Sequence, residues 1–204
     1  MNLRAFVPSL VLLLLMAMPA HAVPDPLHCT VPHCLVACPL GDLTYTVVVR
    51  DVANVPIALC PVELRFDACP SFSVCADCCT GLTVDRTLHR VTATTDVNGN
   101  AGFPLKMGGV CAGAMVGVYA AGVLLASVHL ASPDQDGNLS VGAADVSIVN
   151  GLIGSSNPGA DFDCDGGVTQ FDLDWLTTSH NHHTCNGIVD ARSPSWGRLK
   201  VIYR

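Results

Sequence analysis

Glutamate is nearly absent from this chain. Glu63 is its only one among 17 acidic residues, and charged residues make up just 13% of the sequence. Aromatic residues reach only 5%. There is no Gly-x-Ser-x-Gly nucleophile elbow, no His-Glu-x-x-His zinc motif and no phosphate-binding loop. Paired acids for glycoside hydrolysis are also lacking, because the clustered carboxylates are aspartates already grouped for another purpose. Val62, Leu64 and Phe66 alternate as a core face, so strand alternation turns Glu63 outward beside Arg65, away from any general-acid role. None of these enzyme signatures is present. A basic excess is missing too. The net charge is −7, which speaks against nucleic acid or an anionic membrane as partner.

Long apolar runs are confined to the N-terminus. Arg4, the apolar stretch Leu10 to Met18 and the small-x-small site Ala20-His21-Ala22 read as a signal peptide over 1–22. Its loss would leave about 180 residues and take the charge from −7 to −8. The next candidate, Val110 to Ser132, is broken by Cys111, Gly113, Gly117, Gly122 and His129, so no membrane span is expected. The expected location is outside the cell or at its surface. All eleven cysteines follow residue 22, as a disulfide framework in an exported chain would require. Their odd number leaves at least one thiol unpaired within the chain or linked elsewhere.

Residues 23–42, with three cysteines and four prolines, read as a stapled N-terminal segment. From residue 43 the texture is β-rich. Runs at 44–51, 57–66, 88–94, 101–106, 114–120 and 123–130 are separated by turn residues. Val62, Leu64, Phe66, Val91, Phe103, Leu105, Val118 and Leu125 are the candidate core. An immunoglobulin-like β-sandwich of roughly seven strands is expected over 43–132. Within it, Asp96-Val97-Asn98-Gly99-Asn100 starts like a calcium loop but puts Met107 at position 12. It is therefore read as a β-turn.

The densest chemistry follows Pro133. Asp134, Asp136, Asn138 and Asp145 occupy positions 1, 3, 5 and 12 of one loop, and Asp161, Asp163, Asp165 and Asp172 the same positions of a second that starts 27 residues later. Val141 and Val168 share position 8. Alternate side chains of such a loop point inward, position 7 (Ser140, Gly167) supplies a backbone carbonyl, and the last carboxylate closes a hard-cation shell. A helical pattern follows each loop: Ala144, Ile148, Val149, Leu152 and Ile153 after the first, and Phe171, Leu173, Trp175 and Leu176 after the second. Helix-breaking sequence precedes both.

A duplicated calcium loop with an exit helix only resembles the type I dockerin domain, over about 133–185. The resemblance implies two Ca2+ sites. The first set is Asp134, Asp136, Asn138, the Ser140 carbonyl and Asp145; the second is Asp161, Asp163, Asp165, the Gly167 carbonyl and Asp172. Position 6, normally glycine, is Gly166 in one loop and Leu139 in the other, where a left-handed residue costs about 1–2 kcal/mol; the first site should be weaker. Dockerins dock onto cohesins partly through hydroxyl residues at positions 10 and 11. Here these are Ala143-Ala144 and Gln170-Phe171, so the expected partner is a protein left unidentified, cohesin-like or otherwise. The run Thr95 to Phe103 resembles a turn of invasin-like bacterial immunoglobulin domains, and the layout is similar to secreted bacterial proteins that join the two modules.

The expected fold is thus multidomain, an all-β immunoglobulin-like sandwich followed by a small α-helical dockerin-like calcium domain at 133–185 and a tail at 186–204. The expected role is non-enzymatic binding or assembly. A carbohydrate-binding or adhesive sandwich with purely structural calcium is the alternative. A Cys164–Cys185 staple is expected within the calcium module, with His180, His182 and His183 on the surface; the alternative is zinc or copper binding by the His180 to Cys185 cluster, and with it a third class, a secreted hydrolase or metal-dependent enzyme. Cys75 and Cys78 are read as part of a disulfide-rich loop, not a catalytic dithiol.

Overall fold

A computed structural model of the chain describes residues 22–37, 44–69, 71–75, 81–111 and 115–178. All but the last residue of the signal segment, the His180 to Cys185 cluster and the tail lie outside these residues.

The main sheet has six strands, ordered β1 (Cys34–Val36), β10 (Val123–Ala131), β9 (Met115–Ala120), β3 (Pro61–Arg65), β6 (Arg90–Thr94) and β5 (Thr83–Asp85). Pairing is antiparallel except between β1 and β10. Two ribbons complete the body: β2 (Thr44–Val48) with β7 (Asn100–Pro104), and β4 (Phe72–Val74) with β8 (Met107–Gly109). Alternation explains the layering. Val62 and Leu64 face inward and lie opposite Ala120 and Val118 on one side and Ala93 and Val91 on the other. Tyr45, Val47, Ala101 and Phe103 of the β2–β7 ribbon join the same core. Each fully buried Val, Leu or Phe side chain contributes about 1.5–3 kcal/mol. Seven of the eight expected core positions are buried; Leu125 is only partly so.

Glu63 lies outward and half-buried, its carboxylate 2.6 Å from Arg65 Nη2. The Arg65 guanidinium in turn sits 3.8 Å over the Tyr119 ring. The Asp96 segment is a turn, as expected. Asp96 Oδ1 accepts the Asn98 and Asn100 N–H groups, and Gly99 has φ +79°. A Cβ at Gly99 would stand 2.5 Å from the Val49 carbonyl oxygen, so only glycine fits.

The division into a sandwich and a separate α-helical calcium domain is not what the chain adopts. Among the described residues helix is confined to α1 (Ala143–Leu152) and α2 (Gln170–Thr178), and both belong to a single β-rich domain. The physical reason is that no linker separates them from the sheet. Ala131, the last residue of β10, belongs to the small apolar cluster under the helices, with Val141, Val149, Ala160, Phe162, Val168 and Leu176; Val36 of β1 packs against it. The strand count also differs from the seven expected, at ten among the described residues. Four of these, β1, β4, β5 and β8, are three residues long.

The helix faces are corrected as well. On α1, Asp145 and Val149 are buried, while Ala144 and Ile148, and Ile153 just past its end, are exposed. Asp145 must point into its loop, and that fixes the helix rotation. On α2, Leu176 is buried, Leu173 and Trp175 are partly so, and Phe171 is exposed.

Candidate metal centre

Both acidic loops fold by the same local bonds. Asp134 Oδ2 accepts the Leu139 N–H at 2.9 Å, and Asp161 Oδ2 accepts the Gly166 N–H at 2.9 Å, each five residues on. Asp145 Oδ1 takes the N–H groups of Gln135 (2.7 Å) and Asp136 (3.0 Å); Asp172 Oδ1 takes those of Phe162 (2.6 Å) and Asp163 (3.4 Å). The other oxygen of each closing aspartate caps its helix, Asp145 Oδ2 from Gly142 N at 2.7 Å and Asp172 Oδ2 from Thr169 N at 2.8 Å. A carboxylate in the first turn also meets the positive end of the helix dipole. Positions 4 and 6 are left-handed in both loops: Gly137 (φ +73°) and Leu139 (φ +68°), Cys164 (φ +62°) and Gly166 (φ +99°). The strain foreseen at Leu139 is therefore present.

These bonds gather carboxylates. In the first loop, an oxygen from each of Asp134, Asp136 and Asp145 lies within 4.8 Å of the others; in the second, the same is true of Asp161, Asp163 and Asp165. Asn138 hydrogen-bonds Asp136 through its N–H (3.0 Å) and its Nδ2 (2.7 Å). Ser140 and Gly167 follow the left-handed position 6 in each loop. Asp172 stands outside the second group, although its oxygens accept the same set of backbone N–H groups as those of Asp145, with the Thr169 hydroxyl in addition.

The donor set is oxygen throughout, the chemistry of a hard cation. One atom asks for such a partner. Asp134 is fully buried, and its Oδ1 has no hydrogen-bond partner. An unsatisfied buried acceptor costs about 1–3 kcal/mol, and more when charged. Burial raises the Asp134 carboxyl above its ordinary range; the Gly109 and Leu139 N–H groups oppose this, while the Asp145 and Asp136 charges reinforce it. Asp163 is shifted the same way, by desolvation first and then by the charges of Asp172 and Asp165. A divalent cation would relieve both. The residues present fit the metal that the loops imply.

The loops are tied to the β body at points the sequence did not reveal. Asp134 Oδ2 accepts the buried N–H of Gly109, and Ser132 N donates to the Gly159 carbonyl at 3.1 Å. Cys164 is disulfide-bonded to Cys34 in β1, not to Cys185 as expected; Cys185 lies outside the described residues. The parallel pairing of β1 beside β10 delivers Cys34 to the second loop. A second disulfide joins Cys69 and Cys111, and Cys75 is disulfide-bonded too. Cys29 and Cys60 are free thiols.

Compared with protein-family models and with curated proteins, the chain matches neither a family model nor a curated relative. Its disulfides are compatible with an extracellular protein, and no helix among the described residues is long and apolar enough to cross a membrane.

Proposed function

We propose that this is an exported, non-enzymatic bacterial protein whose two dockerin-like loops bind calcium and thereby order a surface for a protein partner. The observation that carries the reading is the shared bond pattern of two loops 27 residues apart, one of which holds a buried carboxylate oxygen without a partner. Asp134, Asp136, Asn138, the Ser140 carbonyl and Asp145 would hold one ion. Asp161, Asp163, Asp165, the Gly167 carbonyl and Asp172 would hold the other. Bound calcium supplies charge neutralisation at each cluster. The chain's own part is to keep the carboxylates together and to start each helix from the closing aspartate. Isothermal calorimetry tests this: calcium should bind at two sites, the second tighter, with magnesium a poor substitute. A chelator-stripped protein that gives no calcium heat defeats the reading.

A second reading has its own support. The loops are fastened to the β body through Cys34–Cys164 and Asp134–Gly109, as they would be if calcium served only to stabilise a body that itself recognises a glycan. Glycan binding that persists in chelator while the melting temperature falls would favour this alternative.

A further inference from the structure

We propose that the Cys34–Cys164 disulfide sets the calcium affinity of the second loop by holding that loop close to its metal-bound shape from the β body. The proposal rests on the calcium reading above. Cys164 is the fourth residue of the loop, between Asp163 and Asp165, and holds the left-handed φ of +62° that turns the chain between these ligands. It is bonded to Cys34, the first residue of β1, across a sequence separation of 130 and a Cα–Cα distance of 5.9 Å. Cys34 itself is paired in the sheet opposite His129 of β10.

One hydrogen bond reaches the same loop from the same segment. His33 Nε2 is 2.9 Å from the Cys164 carbonyl oxygen; a carbonyl can only accept, so this nitrogen carries the proton. Cys164 is thus held at two points, the disulfide and the His33 bond, by residues 33 and 34. The first loop has no such cross-link. Gly137 stands where Cys164 does, and its anchor is the Asp134–Gly109 bond.

A free acidic loop must order its backbone and bring its carboxylates together against their repulsion when the cation arrives. A cross-link settles part of that cost during folding, so more of the ion's interaction appears as affinity. The asymmetry between the loops then has two sources, strain at Leu139 in one and the disulfide clamp in the other.

Trp175 provides a local readout. Its ring stacks on Phe162, the second residue of the loop, with centroids 5.0 Å apart. Terbium(III), a hard cation of calcium-like size, luminesces by energy transfer from a nearby indole, and the transfer falls steeply with distance. Terbium titration of the oxidised full-length protein, with calcium as competitor, is compared with the Cys34→Ser/Cys164→Ser double variant and with His33→Ala. The half-saturating terbium and calcium concentrations should rise about tenfold or more in the double variant and severalfold in His33→Ala. Half-saturation unchanged within about twofold, in a double variant with native circular dichroism, overturns the proposal. If that variant does not fold, His33→Ala decides by the same criterion, a shift supporting the clamp and no shift overturning it. Wild-type protein with neither calcium heat nor terbium signal above a Trp175→Phe control removes the calcium reading itself. Binding that ignores the disulfide removes only this inference.

Discussion

Asp134 Oδ2 accepts the backbone N–H of Gly109 at 2.7 Å, joining the first residue of the first acidic loop to the last residue of β8. Both groups are buried, so the bond forms away from competing water. It makes the loop part of the β body's own hydrogen bonding, and it makes the loop's chemistry and the body's stability interdependent.

Asp134→Ala should therefore have two effects. It leaves the buried Gly109 N–H and the part-buried Leu139 N–H without an acceptor, at about 1–3 kcal/mol for a buried group, offset in part by relief of the unpartnered Asp134 Oδ1. It also removes the first calcium site. Urea unfolding in chelator should register the first loss and calorimetry the second. Unchanged stability in chelator would mean that the bond to Gly109 does not anchor the loop.

Gly109→Ala should disturb the same site without touching a ligand. Gly109 has φ +99°, and a Cβ there would stand 2.3 Å from the Ser71 carbonyl oxygen. The backbone must shift, costing more than about 1 kcal/mol, and the Asp134 bond shifts with it. Denaturation should show the loss, and calorimetry should show weaker binding at the first site alone. A stability loss with both calcium affinities preserved would separate the two.

Exchanging the residues at position 6 should exchange the rank of the sites. Leu139→Gly relieves left-handed strain of about 1–2 kcal/mol, offset in part by the added freedom of glycine when unfolded. Gly166→Leu introduces that strain. Calorimetry should show the first site tightening in one variant and the second weakening in the other. Affinities that ignore both changes would place the asymmetry elsewhere.

The pH response should differ between the metal-free and calcium forms. Folding raises the carboxyls of Asp134 and Asp163, so protonation favours the fold. Their contribution to metal-free stability is full below the unfolded value and is lost as pH rises through the raised folded values. Asp25 and Asp96 are lowered, chiefly by bonds from His28 and from the Asn100 N–H, and contribute in the opposite sense. Subtracting the melting temperature in chelator from that in calcium cancels these common terms. The difference should shrink as pH falls from 7 towards 4, because protons compete with calcium. A constant difference would contradict ligation by these carboxylates.

Much of the β body was legible because alternation over five or more residues exposes a core face. Val62, Leu64 and Phe66 illustrate it. Three-residue strands such as β1 and β8 carry no readable period, and here they bring the loops onto the body. The acidic loops were legible from spacing, and the left-handed Leu139 from the resemblance that makes position 6 a glycine. Their attachment was not. Cys164 looked toward Cys185, 21 positions on, whereas its partner Cys34 is 130 positions back and arrives only through a parallel strand pairing. Pro133 resembled a domain boundary, yet it is buried where β10 passes directly into the first loop. The rotation of α1 follows the inward demand of Asp145, not the apolar spacing that includes Ala144 and Ile148.

Thermal melting of the oxidised full-length protein, in calcium and then in chelator, tests the central claim most directly. A ligand at 100 times its dissociation constant adds about 2.7 kcal/mol per site. The account predicts a melting temperature several degrees higher in calcium, returned to baseline by chelator and little changed by magnesium. Superimposable melts in calcium and in chelator would contradict it.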